Sequence, residues 1–352
     1  MRIRLGESFV LLALAGWAVS GCGAGSEERA ARGILTPSLL PPYAVAAGPQ
    51  ASSLALHTWA ADGGDYDPAP SPDGTWLVFA STRNSREPQL YRQGISAAVV
   101  TQLTSPPGEY IQPAVSPDGT EVAFAGRDAG SWDIWIMPSS GGARENLTST
   151  PGLDEIHPTW HPSGKALAFN AYRPQDGEWW ICARSRGSST VSWIAPGLAP
   201  SWSPRGDRIA FQRARRRGGR EYALWSVDVR AEEGGLFSGG AESQILSSPS
   251  FSAVEPAFSP DGERLVFVAI EHGSRQSESC DLWSVRIDGT DLVRLTNTPE
   301  PEYGPAWSGI GREGETGRVF FTSERDGRVN IWSLAPELAP ARRVQEGRGP
   351  AS

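Results

Sequence analysis

The sequence predicts an all-β fold, a six-bladed β-propeller of four-stranded antiparallel blades. A turn motif led by proline occurs six times, with its first proline at residues 68, 113, 158, 200, 256 and 305. A spacing of roughly 45 residues is typical of propellers, in which one supersecondary unit forms each repeat. Each repeat also carries four short strand patterns separated by short turns, which is the composition of a propeller blade.

The clearest copy of the motif spans residues 255–267, Glu-Pro-Ala-Phe-Ser-Pro-Asp-Gly-Glu-Arg-Leu-Val-Phe. Its Ser-Pro-Asp-Gly segment predicts a tight turn, because proline presets φ, aspartate bonds its own backbone and glycine tolerates positive φ. The β-branched and aromatic residues after the turn favour a buried strand. The motif therefore predicts the first two strands of every blade, although a glycine-rich insertion interrupts the sixth copy after Ser308.

Two further patterns predict the third and fourth strands. An apolar residue followed by an aromatic residue, as in Ile134-Trp135, marks the third strand, and Asn146-Leu147-Thr148 is an example of the fourth. Because the aromatic residues occupy equivalent positions, we expect them to pack between adjacent sheets, each burying about 150–250 Å². The abundance of tryptophan, 14 residues, then needs no ligand to explain it.

Two segments could supply the fourth strand of the sixth blade. Ala55-Leu56-His57-Thr58 precedes the first blade as an outer strand precedes each later blade. Residues 343–345 follow Trp332 at the spacing of the other outer strands. We favour the N-terminal segment, because it closes the ring with residues distant in sequence.

Blade four carries two long loops. Residues 213–220, Arg-Ala-Arg-Arg-Arg-Gly-Gly-Arg, lie between its second and third strands. Such a basic run is most often a solvated hairpin tip, although it could also bind an acidic partner or lipid phosphates. Residues 230–243 are predicted to be a glycine-rich insertion between its outer strands.

Composition narrows the class of protein. The chain has 352 residues and a net charge of −8, which argues against nucleic acid as a partner. Three cysteines are too few for a disulfide framework or a zinc site, so Cys182 and Cys280 are expected to be packed thiols. We expect a monomer.

The N-terminus resembles a bacterial lipoprotein signal peptide over residues 1–21. Arg2 and Arg4 precede an apolar stretch that is too short to span a bilayer, which needs about 20 residues. Val19-Ser20-Gly21-Cys22 is similar to a lipobox, whose cysteine becomes acylated, although an ordinary secretory signal with an incidental cysteine is the alternative. We predict lipidation of Cys22, and Gly23 after it favours the outer membrane, facing the periplasm.

The remaining organisation follows from composition and repeats. Residues 22–52 are rich in alanine, glycine, serine and proline and are predicted to be a flexible tether. The propeller is predicted over residues 53–346, and residues 347–352 form a short tail.

The repeat Pro-x-Trp-Ser-Pro-Asp-Gly, followed by phenylalanine, an apolar-Trp pair and Leu-Thr, resembles the propeller repeats of the TolB family. The resemblance covers residues 53–346. It departs from the family in two respects. TolB has an α/β domain before its propeller, for which residues 23–52 of this chain are too short, and TolB is soluble in the periplasm, whereas this chain is predicted to be lipidated. The resemblance implies a cell-envelope scaffold that binds an envelope protein or peptide segment, and the predicted lipid on Cys22 would anchor it to a membrane, while fold does not fix function.

We expect no enzymatic activity and no cofactor. The chain lacks the Gly-x-Ser-x-Gly elbow of serine hydrolases and the His-Glu-x-x-His zinc motif. Some TolB-like propellers are metal-dependent lyases that use several histidines and a glutamine. The histidines here, His57, His157, His161 and His272, lie at dissimilar repeat positions. A module that binds carbohydrate or cell-wall fragments is therefore the main alternative, and a metal-dependent lyase is a weaker one.

One set of residues is predicted to lie at the channel mouth, because it precedes the first proline of every repeat: Asp67, Gln112, His157, Ala199, Glu255 and Gly304. We predict that Asp67, Gln112, His157 and Glu255 bind a cationic or hydrogen-bond-donating partner, such as a peptide terminus. Their variation between repeats is interpreted as room for an asymmetric ligand.

A metal is the other possibility for this channel. Asp65, Glu155 and Glu302 lie two residues further upstream, and carboxylate oxygens converging there could hold Ca²⁺. With His157 they could hold a transition metal. A hydrated polar channel without metal is the alternative.

Overall fold

The computed structural model describes residues 54–128, 130–272, 280–309 and 317–336. These residues form six four-stranded antiparallel sheets around a central channel, which confirms the predicted six-bladed β-propeller. The predicted signal peptide, the whole tether with Cys22 and the tail lie outside the described residues, as do residues 53 and 337–346 of the predicted propeller.

Each blade has four strands, counted from the channel outward. The first strands are β2 (Asp65–Pro70), β6 (Glu109–Val115), β10 (Glu155–Trp160), β14 (Leu198–Trp202), β18 (Phe251–Phe258) and β22 (Glu302–Trp307). The second strands are β3 (Trp76–Ser81), β7 (Glu121–Arg127), β11 (Ala166–Arg173), β15 (Arg208–Ala214), β19 (Arg264–Glu271) and β23 (Val319–Arg325). The third strands are β4 (Gln89–Gly94), β8 (Asp133–Pro138), β12 (Glu178–Ser185), β16 (Tyr222–Ala231), β20 (Cys280–Arg286) and β24 (Arg328–Leu334). The fourth strands are β5 (Val100–Gln102), β9 (Glu145–Asn146), β13 (Ser192–Pro196), β17 (Phe237–Leu246), β21 (Val293–Arg294) and β1 (Ala55–Leu56).

The N-terminal segment closes the sixth blade, as predicted. β1 pairs antiparallel with β24, with Ala55 opposite Ser333. After the strand, His57 N donates to Ile331 O at 2.9 Å, and Ile331 N donates to Thr58 Oγ1 at 3.0 Å. The ring is therefore joined by hydrogen bonds between residues more than 270 positions apart.

The aromatic residues of the third strands pack between adjacent sheets, and each is covered by an arginine. The guanidinium carbons lie 3.9–5.9 Å from the ring centroids. The pairs are Arg83 with Tyr91, Arg144 with Trp135, Arg173 with Trp180, Arg213 with Trp225, Arg294 with Trp283 and Arg325 with Trp332. These cation–π contacts explain the repeated aromatic residue as a structural feature, and the sequence motif did not include the arginines.

Blade four differs from the prediction for residues 230–243. Instead of a loop, β16 and β17 extend their pairing outward until Ala231 lies opposite Phe237, with a short 3-10 helix, Glu233–Gly235, at the tip. The Phe237 ring packs 5.4 Å from the ring of Trp202. This apolar contact holds the glycine-rich segment as a strand.

The arginine-rich loop of blade four is largely neutralised by neighbouring acids. The ion pairs are Arg213 with Glu242 at 2.6 Å, Arg215 with Glu221 at 3.2 Å and Arg217 with Glu178 at 2.7 Å. Such pairing leaves little free positive charge and favours a solvated hairpin tip over a docking site for an acidic partner.

The two cysteines of the propeller are both buried, as expected of packed thiols. Burial raises the pKa of the Cys182 thiol, which keeps it protonated and unreactive. No helix in the described part of the chain is long and apolar enough to cross a membrane.

Candidate binding site in the axial channel

The six predicted channel residues share an unusual backbone conformation. Asp67, Gln112, His157, Ala199, Glu255 and Gly304 have φ between 51° and 58°. Residues other than glycine, asparagine and aspartate seldom adopt this left-handed region. Each residue lies at a register shift between the first and second strands of its blade. The resulting bulge breaks the two-residue alternation of the strand and re-aims the side chain.

Hydrogen bonds link several bulge residues around the channel. Gln112 N donates to Asp67 Oδ2 at 3.1 Å, and His157 N donates to Gln112 Oε1 at 2.9 Å. Gly304 N donates to Glu255 Oε2 at 2.7 Å. In these three cases the bulge side chain of one blade satisfies the bulge N–H of the next blade, which would otherwise be an unpaired polar group.

The other three bulge N–H groups are satisfied by the second strand of the preceding blade. The bonds are Ala199 N to Asn170 Oδ1 at 2.8 Å, Glu255 N to Gln212 Oε1 at 2.7 Å and Asp67 N to Thr322 Oγ1 at 3.2 Å. Each of the three acceptors lies on the second strand of its blade, paired with the first-strand residue that comes just before the bulge. In the other blades that position holds Ala80, Ala125 and Val268. Each blade therefore supplies one acceptor, from its bulge or from its second strand.

This pattern corrects the interpretation of the sequence variation. Glu255 supplies the acceptor in a blade whose second strand has Val268, and Ala199 supplies none because Gln212 does. Much of the variation is thus a choice between two ways to satisfy the same N–H group. His157 is an exception, because Asn170 already serves that blade and leaves its imidazole available for other contacts.

The hydrogen bonds fix the protonation of His157. Gln112 Oε1 accepts the His157 backbone N–H, so the Gln112 amide NH₂ faces His157 Nε2, at 2.8 Å, and must donate to it. The proton of the neutral ring then lies on Nδ1, which is buried and has no hydrogen-bond partner among the described residues. Burial lowers the pKa of His157 to about 4, so the ring is neutral at pH 7.

The two carboxyl groups of the ring ionise with difficulty. Burial within the channel raises the pKa of Asp67 to about 6, although the Gln112 N–H opposes this shift. Burial and then the negative charge of Asp67 raise the pKa of Glu255 to about 7. Both side chains are half-buried, with some surface facing the channel. No neighbouring cation contributes to the pKa shift of Asp67 or of Glu255, so these two carboxyl groups lack a counter-charge.

The three upstream carboxylates do not converge on the channel, which corrects the proposed Ca²⁺ ligand set. Asp65 forms a 2.7 Å ion pair with Arg83, and Glu302 forms a 2.9 Å ion pair with Arg325. Glu155 is buried beside threonine hydroxyl groups. The bulge explains the difference, because it turns the residue two positions later toward the channel while these acids stay inside their blades.

The ring borders a cavity of about 610 Å³ on the propeller axis. All six blades contribute the proline that follows the bulge. The mouth is asymmetric, because its aromatic and charged side chains beyond the ring come from blades one to three: Tyr66, Glu109, Arg127, Trp132, Asp154 and Trp179. A side pocket shares Glu109 and Arg127 with this mouth, so the opening continues outward along blade two.

Acids predominate among the charged residues of the cavity lining. Its charged residues are Asp67, Glu109, Arg127, Asp154 and Glu255. Arg127 is the only cation of this lining, and both oxygens of Glu109 accept from its Nη2 at 2.7 Å. A positively charged ligand therefore complements the cavity.

The residues of the mouth do not stand out in the sequence. Trp179-Trp180 fits the apolar-aromatic pattern of a third strand, yet Trp180 packs under Arg173 whereas Trp179 faces the cavity. Side chains alternate along a strand, so adjacent residues face opposite sides. That alternation was the available signal that one of the two tryptophans is not structural.

The described residues also bear on a metal centre. No group of three histidine, cysteine, aspartate or glutamate side chains in the described part of the chain could hold a metal ion. His157 is the one histidine that lines the axial cavity, and the Gln112 amide occupies its Nε2. These residues do not fit the histidine-rich site of a metal-dependent lyase.

Comparison with known proteins gives the following similarities. Residues 101–254 match the family model described as the TolB beta propeller domain. A candidate TolB from Agrobacterium tumefaciens has a TM-score of 0.57 at 20% identity, covering 80% of this chain and 93% of that chain. An oligogalacturonate lyase from Vibrio parahaemolyticus has a TM-score of 0.56 at 10% identity, covering 84% of this chain and 97% of the lyase. At such identities the solved structures show a shared fold alone.

A curated relative matches a short segment. Dipeptidyl-peptidase 5 from Porphyromonas gingivalis is 31% identical over 78 residues, which is 22% of this chain. The match spans 11% of the length of that peptidase. The domain match, the blade count and the structural neighbours together show a TolB-like propeller.

Proposed function

We propose that this TolB-like β-propeller is a protein-binding scaffold of the cell envelope that holds an extended segment of a partner protein in its axial cavity. The observation that carries the proposal is the asymmetric, acid-lined mouth that leads to the polar ring. The cavity, about 610 Å³, lies within the range of roughly 300–1,000 Å³ that is usual for ligand sites.

The lining suits a peptide segment with apolar and positively charged groups. Trp132 and Trp179 are half-buried at the mouth, where they offer apolar faces to a passing side chain. No cation of the lining lies beside Asp67, Asp154 or Glu255, so a bound cation would favour the ionised forms of the two carboxyl groups whose pKa burial raises. Complementary charge of this kind favours encounter and selects against acidic partners.

Site-specific crosslinking tests this proposal. A photo-crosslinking phenylalanine in place of Trp179 is expected to capture a partner protein in intact envelopes, because an aromatic ring at this position faces the cavity. Adding Asp67→Asn with Glu255→Gln is expected to reduce the crosslinked product at least tenfold, about 1.4 kcal/mol. Mass spectrometry of the product identifies the bound segment.

The amide variants are preferable to alanine because Asp67 and Glu255 satisfy backbone N–H groups. Leaving such a donor unsatisfied costs about 1–3 kcal/mol, and the remaining amide oxygen avoids that cost. The matched control is Arg215→Ala with Arg216→Ala in the arginine-rich loop, which is expected to leave capture unchanged. If the same photo-crosslinking residue captures a partner from position 216 but not from position 179, recognition would lie on the arginine-rich loop of blade four instead.

We also propose that a lipid on Cys22 anchors the propeller, with outer-membrane sorting favoured by Gly23. One acyl chain holds a protein only marginally, whereas two or more give stable anchoring at about 0.8 kcal/mol per buried CH₂. Cys22→Ser is expected to move the protein from the membrane pellet to a soluble or uncleaved form and to abolish acyl labelling. Unchanged partitioning, with no acyl label on either form, would contradict the anchor.

Carbohydrate binding is the second candidate, because two half-buried tryptophans at a cavity mouth could also stack on sugar rings. The charge of the lining favours a cationic peptide over a neutral sugar. Titration with peptidoglycan fragments distinguishes the two, since a carbohydrate-binding module should retain these ligands when Asp67→Asn and Glu255→Gln are introduced. We propose binding without catalysis in either case.

A further inference from the structure

We infer that the channel ring recognises a primary ammonium group, the free N-terminus of the bound segment, between the carboxylates of Asp67 and Glu255. This inference rests on the proposed function and specifies which end of the partner enters the cavity.

Gly304 creates the space for this group. It is the bulge residue between those of Glu255 and Asp67 around the ring, and its N–H donates to Glu255 Oε2 at 2.7 Å. A Cβ atom added to Gly304 would lie 3.8 Å from Asp67 Oδ1 and from the neighbouring proline ring. The missing side chain therefore leaves an open cradle with one carboxylate on each side.

Both carboxylates have hydrogen-bonding capacity to spare. Within the described residues, hydrogen bonds engage Oδ2 of Asp67 and Oε2 of Glu255. The remaining oxygens can accept from an ammonium group, which carries three donors and no acceptor. Arg127, the only cation of the lining, is held by Glu109, so it does not compete for the cradle.

His157 supplies a second, independent feature. Its Nδ1–H is a buried donor without a partner in the described structure, and the ring lines the same cavity. Leaving such a donor unpaired costs about 1–3 kcal/mol. Because almost none of the Nδ1 surface is open to the cavity, a ligand acceptor would pair with it only after the imidazole turns toward the cavity. In an N-terminal residue the carbonyl oxygen follows the ammonium group by three bonds, so one residue presents a donor to the carboxylates and an acceptor to the imidazole.

The order of these groups gives the segment a direction. The carboxylates belong to blades five and one, the imidazole belongs to blade three, and the mouth opens over blades one to three. A chain whose ammonium group lies over Gly304 and whose first carbonyl faces His157 then leaves past Trp132 and Trp179. An internal segment without lysine, or a C-terminal carboxylate, lacks the cation that the cradle requires.

An NMR titration of the intact propeller tests the inference. The probe is tetra-alanine amide with a free amino group, added at pH 7.2, where an α-amino group with a pKa near 8 is mostly protonated. The backbone amide signals of Gln112 and Gly304 are expected to shift, because their N–H groups donate to the two carboxylates. The Ser139 amide, which donates to Thr120 O outside the cavity lining, serves as the internal control and is expected to stay in place.

N-acetylated tetra-alanine amide is the matched probe, and we expect it to bind at least tenfold more weakly. Asp67→Asn with Glu255→Gln should weaken binding of the free peptide by at least tenfold while leaving the Ser139 signal unchanged. Equal binding of the acetylated peptide, or unaltered binding to the double variant, would overturn the ammonium cradle while leaving peptide binding intact. If neither peptide shifts a channel amide, the inference is also overturned, and crosslinking from position 179 then decides the proposed function separately.

Discussion

Deleting residues 53–59 is expected to lower the free energy of unfolding by about 3–6 kcal/mol, because it removes the strand that closes the ring. The deletion removes β1 and the bonds from His57 N to Ile331 O and from Ile331 N to Thr58 Oγ1. The 2.7 Å contact of His57 Nε2 with Ser333 Oγ is lost as well. Roughly five hydrogen bonds at about 1 kcal/mol each give this magnitude.

The exposed edge of β24 adds a second consequence. An unpaired strand edge is a template for association, so the deleted protein should also aggregate more readily. Differential scanning calorimetry is expected to show a melting temperature lower by about 10 °C. Deleting residues 341–352 is the matched control, and a larger loss there would assign closure to the C-terminal segment.

The free energy of unfolding is expected to change less between pH 5 and pH 8 in Glu155→Gln than in the parent protein, by about 2–3 kcal/mol. Glu155 is buried, and its Oε2 has no hydrogen-bond partner among the described residues. Burial raises its pKa to about 7, although the hydroxyl groups of Thr148 and Thr150 oppose this shift. No described arginine lies within ion-pair distance of it, in contrast to Asp65 and Glu302.

The sign follows from the raised pKa. An unfolded glutamate releases its proton near pH 4.3, whereas the folded protein keeps that proton until about pH 7. The folded state therefore binds more protons over this interval, and stability falls as pH rises through it. The stabilising contribution of protonated Glu155 is complete at pH values below its pKa in the unfolded chain. It is lost at pH values above its pKa in the folded protein.

Denaturant unfolding at several pH values measures this effect as a difference between variant and parent. Subtracting the two profiles cancels the contributions of the other titrating groups. These include His157, whose lowered pKa makes stability rise with pH. Glu145→Gln, at an exposed acid on an outer strand, is the matched control and should leave the pH profile unchanged. A parallel profile for Glu155→Gln would mean that Glu155 does not ionise in this interval.

The fold was predictable from sequence because its signals are local and repeat. The Ser-Pro-Asp-Gly turn forms within a few residues, as shown by the 2.6 Å bond from Ser259 Oγ to Asp261 Oδ1. The strand patterns on either side have a period of two, which neighbouring residues express without help from distant ones. Six copies of that unit leave a ring of blades as the way to bury every sheet face.

The site depended on contacts that no local pattern contains. The Gln112 N–H finds its acceptor on Asp67, 45 residues earlier, and the Glu255 N–H finds its acceptor on Gln212, 43 residues earlier. Whether a blade uses its bulge or its second strand for this purpose emerges when adjacent blades are placed side by side. Three features follow from that packing: the channel position of Asp67, the His157 Nδ1 that has no partner among the described residues, and the separation of Asp65 from the channel. The reason is that a backbone donor removed from its ladder must bond to whatever the next blade presents.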